Sequence, residues 1–351
     1  MKWVALLAVA ILLVLPFGLS SYATTIFIFI FFYAFLGQAW NIVGGYAGQL
    51  SAGHAAFVGV GAYASALLSA RLGLTPWLGM LVGGALSAGH AAFVGIGGYA
   101  AALLSAHAGL SPWLGMWIGG GLAALLGAVI GYLGFRFGLR GFYFVLLTVA
   151  FAEICRVIAL NVDAVGGALG LYITFTGNPQ QFQFQDNRAY YYVALALMLG
   201  ATAAVRAIET HRFGAYLTAI RQDESACEAL GIDTLRVKMQ AMVLSSFLTG
   251  VGGTFYAFYL FSLQPNAVFG IPLSVEIIIR PIVGGAGTVM GPILGSFILS
   301  PLAEISRSYF AQGGWNGLHL IVYGVLLIAV VLFLPQGAYP ALRRLLRGRP
   351  A

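Results

Sequence analysis

The sequence predicts an all-α polytopic membrane protein with about nine or ten transmembrane or half-membrane helices. Three observations carry this. The chain has 351 residues, of which 60% are hydrophobic and only 8% charged, whereas a soluble domain carries about 25% charged residues. Apolar runs recur along its length and approach the ~20 residues needed to cross a bilayer, without the alternating strands of a membrane barrel. Finally, residues 51–86 are followed at once by a near-copy, residues 87–122, identical at 27 of 36 positions. Two apolar, Gly-rich copies are too few for a solenoid, which needs about three, so the repeat is a tandem-duplicated membrane segment. The 48 glycines suit close helix packing in lipid.

The elements follow in order. Trp3–Leu19 and Thr24–Val43 form the first two spans. Lys2 and the run behind it read as a retained helix rather than a signal peptide, because no small-residue cleavage site stands out and another span follows directly. Ser51–Ala70 is the first repeat helix, and Pro76–His107 covers duplicated material. Trp113–Phe135 and Gly141–Leu160 come next. The polar stretch 161–188 reads as an external loop, and Tyr190–Ala207 crosses back. A charged cytoplasmic loop, 208–238, precedes Met239–Phe261, Ser274–Leu302 and Leu318–Leu334, and a basic cytoplasmic tail occupies 338–351. The whole chain is one membrane domain.

Positive charge marks the cytoplasmic side. Arg136 and Arg140 form one cluster and Arg206, Arg212, Arg221, Arg236 and Lys238 a second, with two spans between them. The basic tail lies three apolar runs further on and returns to the cytoplasm only if Ser274–Leu302 breaks into a hairpin at Val283-Gly284-Gly285-Ala286-Gly287. The repeat raises the same question of parity. Two extra full spans need roughly 60 Å of helix, and 36 residues supply about 54 Å; one extra span would turn the rest of the chain over. A re-entrant pair is expected instead: Pro76–Ala85 dipping in, a break at Leu86–Gly89, and His90–Ala106 leading out.

The most specific string is Asn41-Ile-Val-Gly-Gly-Tyr-Ala-Gly-Gln49-Leu-Ser51-Ala-Gly-His54-Ala-Ala-Phe57. It reads as a helix end, a Gly-rich turn and a new helix starting at Gln49–His54 that carries polar groups into the membrane. Ser51 suits an N-cap, and the positive end of the helix faces a carboxylate solute in one reading and only packs in the other. The translocation-path candidates are Asn41, Gln49, Ser51, His54 and, at the broken span, Gly284 and Gly285. In Leu217–Gly231, Leu217, Ile220, Cys227 and Leu230 share one helix face, while Arg221, Asp223, Glu224 and Glu228 lie elsewhere. Gly231 stops the helix and Asp233 caps the next. The intramembrane charges are Glu153, three residues from Arg156, and Glu276, one turn before Arg280. Each belongs to a structural pair or to a carboxylate site.

The Asn41–Phe57 string resembles a segment of the membrane permeases of branched-chain amino-acid ABC importers, the LivM-like family. Gly141–Ile154, Ala219–Ile232, Val283–Pro292 and Leu334-Pro-Gln-Gly337 resemble later segments of the same family in the same order, so the likeness covers nearly the whole chain. Arg280-Pro281 departs from it, since the family is apolar there. The resemblance implies a permease subunit in the inner (plasma) membrane that forms the path for branched-chain amino acids. It also implies a second homologous permease, two cytoplasmic ATPases and an external solute-binding protein as partners, with Arg221, Asp223, Glu224, Glu228 and Gly231 in the segment that couples to the ATPase. Urea or short amides are the alternative cargo within the class, and a stand-alone secondary transporter is the alternative outside it.

The chain has no G-x-x-x-x-G-K-[ST] string, so ATP is expected to be hydrolysed by partner subunits and no cofactor to be held here. No Ser-His-Asp or paired-carboxylate constellation points to an enzyme. His54 and His90 recur through duplication rather than as a metal pair. The net charge of +7 sits between apolar runs, which is membrane topology and not nucleic-acid binding.

Overall fold

The computed structural model describes residues 2–48, 89–139, 141–312 and 337–346. The first repeat copy, with Gln49, Ser51 and His54, and the runs Pro76–Ala85 and Leu318–Leu334 lie outside the described residues. Among those described, seven helices are long and apolar enough to cross a membrane, with two shorter apolar helices beside them.

Helix α1 spans Lys2–Val14, and α2 spans Ser21–Asn41, opened by Ser20, whose hydroxyl accepts from the Ala23 amide at 3.3 Å. A π-helical turn, Ile42–Tyr46, extends α2. Then come α3 (His90–Ala108), α4 (Pro112–Arg136), α5 (Phe142–Asn161) and α6 (Asn187–Thr210), followed by α7 (Arg212–Gln222) and α8 (Glu224–Ala229). The rest is α9 (Thr234–Leu260), α10 (Pro265–Val268), α11 (Ile271–Gly284), α12 (Gly291–Gln312) and α13 (Ala338–Leu346). The outer loop adds a two-residue strand pair, β1 (Leu171–Tyr172) with β2 (Ser262–Leu263), antiparallel.

Two helices organise the bundle. α9 packs on α3 and α4, while α2 packs on α6, α11 and α12, and α2 and α9 meet between these groups. Their contact is aromatic: Phe32 stacks on Phe255 at 5.4 Å, and Phe31 meets Tyr191 of α6 edge-on at 5.1 Å. Offset and T-shaped ring pairs of this kind add to the area they bury.

Both ends of the bundle can be traced. At the end carrying Arg136, Arg206, Arg221 and Arg236, which positive charge marks as inner, a separate core joins Ile42, Val43 and Tyr46 to Phe135, Phe144, Leu217, Ile220 and Met242. At the outer end Ser111 donates to the Gln180 carbonyl at 2.8 Å and Tyr22 hydrogen-bonds Ser308 at 3.1 Å. The run Ser274–Leu302 forms the expected hairpin, α11 and α12, because Gly285 (φ 119°) and Gly287 (φ 76°) reverse the chain at the inner end. Gly337 packs against that hairpin turn, so α13 with Arg343 and Arg344 sits at the inner end. The stretch expected to lead outward from His90 is α3, which begins inside the bundle and ends at the left-handed Gly109 before Pro112 opens α4.

Candidate functional site

At the inner end α2 presents two polar side chains one turn apart, both fully buried. Asn41 reads both edges of the hairpin turn: its Oδ1 accepts from the Gly287 amide at 2.7 Å and its Nδ2 donates to the Thr288 carbonyl at 2.9 Å. Gln38 donates to the Val289 carbonyl at 2.6 Å. Thr288 closes the turn, donating to the Gly285 carbonyl at 2.7 Å and accepting from the Gly291 amide at 3.0 Å. An unpaired buried peptide group costs about 1–3 kcal/mol, so these amides fix the turn to α2.

The glycines after Asn41 make room for this. A Cβ on Gly45 would lie 1.9 Å from Asn41 Oδ1, and one on Gly48, whose φ is +63°, would lie 1.9 Å from Arg221 Cγ. Arg221 runs through that gap and donates from Nη1 to the Gly45 carbonyl at 2.7 Å. The charged loop is thereby joined to the end of α2 and to the hairpin. Gly284 and Gly285 are buried against backbone, a Cβ on Gly284 falling 1.7 Å from the Gly291 carbonyl oxygen. In this structure they pack the hairpin turn.

The segment read as one coupling helix divides in two. Asp223 leaves the helix and caps α8, accepting from the Ala226 amide at 3.0 Å; a short carboxylate competing for backbone amides does this readily. Asp233 caps α9 in the same way, through the Arg236 amide at 2.9 Å. Glu224 pairs with Lys238, whose ammonium lies 5.0 Å from the centre of the Phe135 ring. Thr234 donates to Glu228 at 2.7 Å. Leu217, Ile220 and Cys227 are buried as one face, but Leu230 is not part of it. The helix ends at Ala229, Gly231 turns the chain at φ +81°, and Leu230 is left 80% exposed. Gln38 is not among the residues the sequence marks, although a polar residue one turn before Asn41 in an apolar helix is the available signal, and Lys238 is marked only as one of a basic cluster.

Of the two repeat copies, the second builds the described helix start. His90 is 1% exposed, and its Nε2 lies 3.1 Å from the Ser245 hydroxyl, which donates to the Ala39 carbonyl at 2.7 Å. A hydroxyl has one proton, so His90 Nε2 is the donor of that pair. Ser274 of α11 accepts from the Ala91 amide at 2.9 Å. The start of α3 is thus held by α2, α9 and α11 at once.

The two intramembrane charge pairs differ. Arg280 is 1% exposed and directed at protein: Nε donates to Ser300 at 3.2 Å, Nη1 bonds the Glu276 carbonyl, Nη2 lies 3.7 Å from Glu276 Oε2, and the guanidinium lies 3.5 Å over the Tyr33 ring. Glu153 and Arg156 form a bidentate pair on α5 whose side chains stay 34% and 26% exposed. Among the described residues no group of three or more His, Cys, Asp and Glu side chains is placed to hold a metal.

Residues 84–331 match the family model described as the permease component of branched-chain amino acid transport systems. The chain belongs to this family. It is a multi-pass membrane permease, and its relatives are transport subunits rather than enzymes. It is 28% identical over 97% of its length to the high-affinity branched-chain amino acid transport system permease protein LivM of Escherichia coli K12, covering 75% of that protein. It is 27% identical over 97% of its length to the protein of the same name from Salmonella typhimurium, covering 74%. A probable branched-chain amino acid transport permease protein LivM of Methanocaldococcus jannaschii is 24% identical over 56% of this chain and 60% of its own length. No solved structure matches.

The family match begins just ahead of Ser87 and takes in only the second copy of the repeat. Deleting residues 51–86 joins Leu50 to Ser87 and restores Gly48-Gln49-Leu50-Ser87-Ala88-Gly89-His90 without touching α3. This permease is expected to insert, fold and transport after that deletion, measured by thermal unfolding in detergent and by uptake in vesicles. A folded protein from deletion of 87–122 together with collapse on deletion of 51–86 would assign the helix to the first copy.

Proposed function

We propose that this permease is a subunit of an ABC importer for branched-chain amino acids. A second homologous permease, two cytoplasmic ATPases that hydrolyse the ATP and an external solute-binding protein complete the assembly in the inner membrane. The observation that carries the reading is the inner loop. α7 and α8 project from the inner end, tied to the bundle by Arg221 on Gly45 and by Glu224 on Lys238, and present the exposed Leu230 at their tip. An exposed apolar side chain at the C-terminal end of a short helix, beside an open groove lined by Tyr216, Arg236 and Gln240, suits uptake by a groove on a partner.

The mechanism follows from the connections. When the ATPases close, they move α7 and α8 as one body. Arg221 passes that displacement to the end of α2, and Asn41 and Gln38 pass it to the α11–α12 hairpin. Through Arg221 the displacement reaches α2, α11 and α12, and through the Glu224–Lys238 pair it reaches α9, so the loop drives two groups of helices from separate points. Such a rigid-body shift of one group of helices against another opens a path first to one side and then to the other.

Leu230→Asp tests the reading. The residue makes little contact within the fold, so insertion and thermal stability are expected to match the parent. Copurification of the ATPases and ATP-driven uptake are expected to fall at least about tenfold, the loss from one anchor residue of an interface. Normal ATPase capture and normal uptake would refute the coupling assignment and favour a stand-alone transporter.

A further inference from the structure

Helix α5 does not fit a lipid-facing role. Among the seven candidate spans it is the least enclosed, with 28% of its apolar window buried. Yet it carries a carboxylate and a guanidinium that both remain partly exposed. Glu153 lies eight residues inside the outer end at Asn161, about 12 Å at 1.5 Å per residue, which is within the hydrocarbon layer of a bilayer some 30 Å thick. Charges at that depth face protein or water, because exposure to acyl chains is costly.

The pair is also poised rather than closed. Arg156 donates from Nε to Glu153 Oε2 at 2.8 Å, bonds Oε1 from Nη2, and reaches Asn266 Oδ1 from Nη1 at 2.7 Å. Three bonds use part of a five-donor fork, and the Glu153 oxygens keep lone pairs for a further donor. Arg280 offers the contrast: it is fully buried, and its donors meet Ser300 and Glu276 from within the bundle. Beside Glu153 and Arg156 the same helix exposes Ile154, Val157 and Ile158, at 51%, 45% and 55%. Val157 lies one turn on from Glu153 and next to Arg156 on the helix surface, so this edge of α5 sets a positive and a negative group beside an exposed branched side chain.

We infer that this edge of α5 lines the solute path and binds a zwitterionic amino acid. Arg156 takes the α-carboxylate, Glu153 takes the α-ammonium, and Val157 meets the branched side chain. Asn266, on the outer element α10, holds the guanidinium toward the outer mouth. The inference rests on the proposed importer function, whose cargo it explains by chemistry: a zwitterion with an alkyl side chain complements an ion pair beside alkyl groups.

The test uses the assembled complex in proteoliposomes, with leucine supplied by its binding protein. The double variant Glu153→Gln/Arg156→Gln removes both charges together, so neither is left buried and unpaired. It is expected to assemble and copurify with the ATPases, while uptake falls by roughly tenfold or more, the loss of at least one charge-assisted hydrogen bond. In a second arm Cys155 and Cys227 are replaced by Ser and Val157→Cys is probed with a charged, water-soluble thiol reagent. Labelling is expected, and leucine is expected to slow it. Full uptake by the double variant, or no labelling of the Val157→Cys variant, overturns the inference while leaving the importer function standing. Absence of leucine uptake by the parent complex sinks the importer function and this inference with it.

Discussion

Gly97→Leu is expected to leave no folded protein. Gly97 sits where three helices meet backbone to backbone. A Cβ there would lie 1.9 Å from the Gly250 carbonyl oxygen of α9, and Gly119 of α4 approaches Gly97 from the other side, its own Cβ position 2.6 Å from the Gly97 oxygen. One helix turn along, a Cβ on Gly253 would lie 2.1 Å from the Val94 oxygen. None of these neighbours is a side chain that can rotate away, so a larger residue must push α3 from α9. In lipid no hydrophobic force between helices compensates, because acyl chains are as apolar as the side chains; close approach and packing hold the helices together. Overpacking costs about 1–3 kcal/mol where the surroundings yield, and here the backbone does not yield. The variant is expected to elute as aggregate in detergent. Gly121→Leu is the control: nothing lies within 4 Å of its Cβ position, so it is expected to behave as the parent. A monodisperse Gly97→Leu protein with parental stability would show that the three-helix contact is not needed.

Glu224→Lys is expected to undo the inner loop. Lys238 has a side chain only 6% exposed and depends on Glu224, itself 15% exposed, for its counter-charge. Breaking a buried pair by removing one partner costs about 3–5 kcal/mol, and a second ammonium adds repulsion. α8 is then released from α9, Thr234 loses an acceptor, and ATPase capture fails because its docking element is no longer held. The swapped pair Glu224→Lys/Lys238→Glu keeps one charge of each sign and is expected to recover most of the thermal stability and ATPase copurification. Parental stability of the single variant would show that the pair contributes nothing. Failure of the swap despite a folded loop would mean that Glu224 also meets the ATPase directly.

Much of the fold was legible because a bilayer imposes few solutions. The apolar runs became α2, α4, α5, α6 and α9 with small shifts at their ends, and the capping of α9 by Asp233 followed from its position. The hairpin of α11 and α12 was legible as a glycine-rich break, Val283–Gly287, inside a long apolar run. Less legible was the break at Asp223, where one capping carboxylate overrides a continuous amphipathic pattern, and with it the exposure of Leu230. Periodicity assumes that the helix continues, and it fails where a side chain captures backbone amides.

The candidate site divides along the same line. Asn41 and the glycines behind it stood out as a string, but the string does not say what the asparagine holds. Its partners, Gly287 and Thr288, lie some 250 positions away, and Arg221 reaches the same point from a third segment. By itself the sequence determined that this chain crosses a membrane many times, which side its charges mark and which family it joins, because hydropathy, charge bias and motif are local quantities. Only the tertiary structure decided that Gly284 and Gly285 close a hairpin, that Arg280 is consumed by Glu276 and Ser300, and that Glu153 and Arg156 stay partly open. Whether a polar group is satisfied depends on what distant helices bring to it, and that is settled by packing.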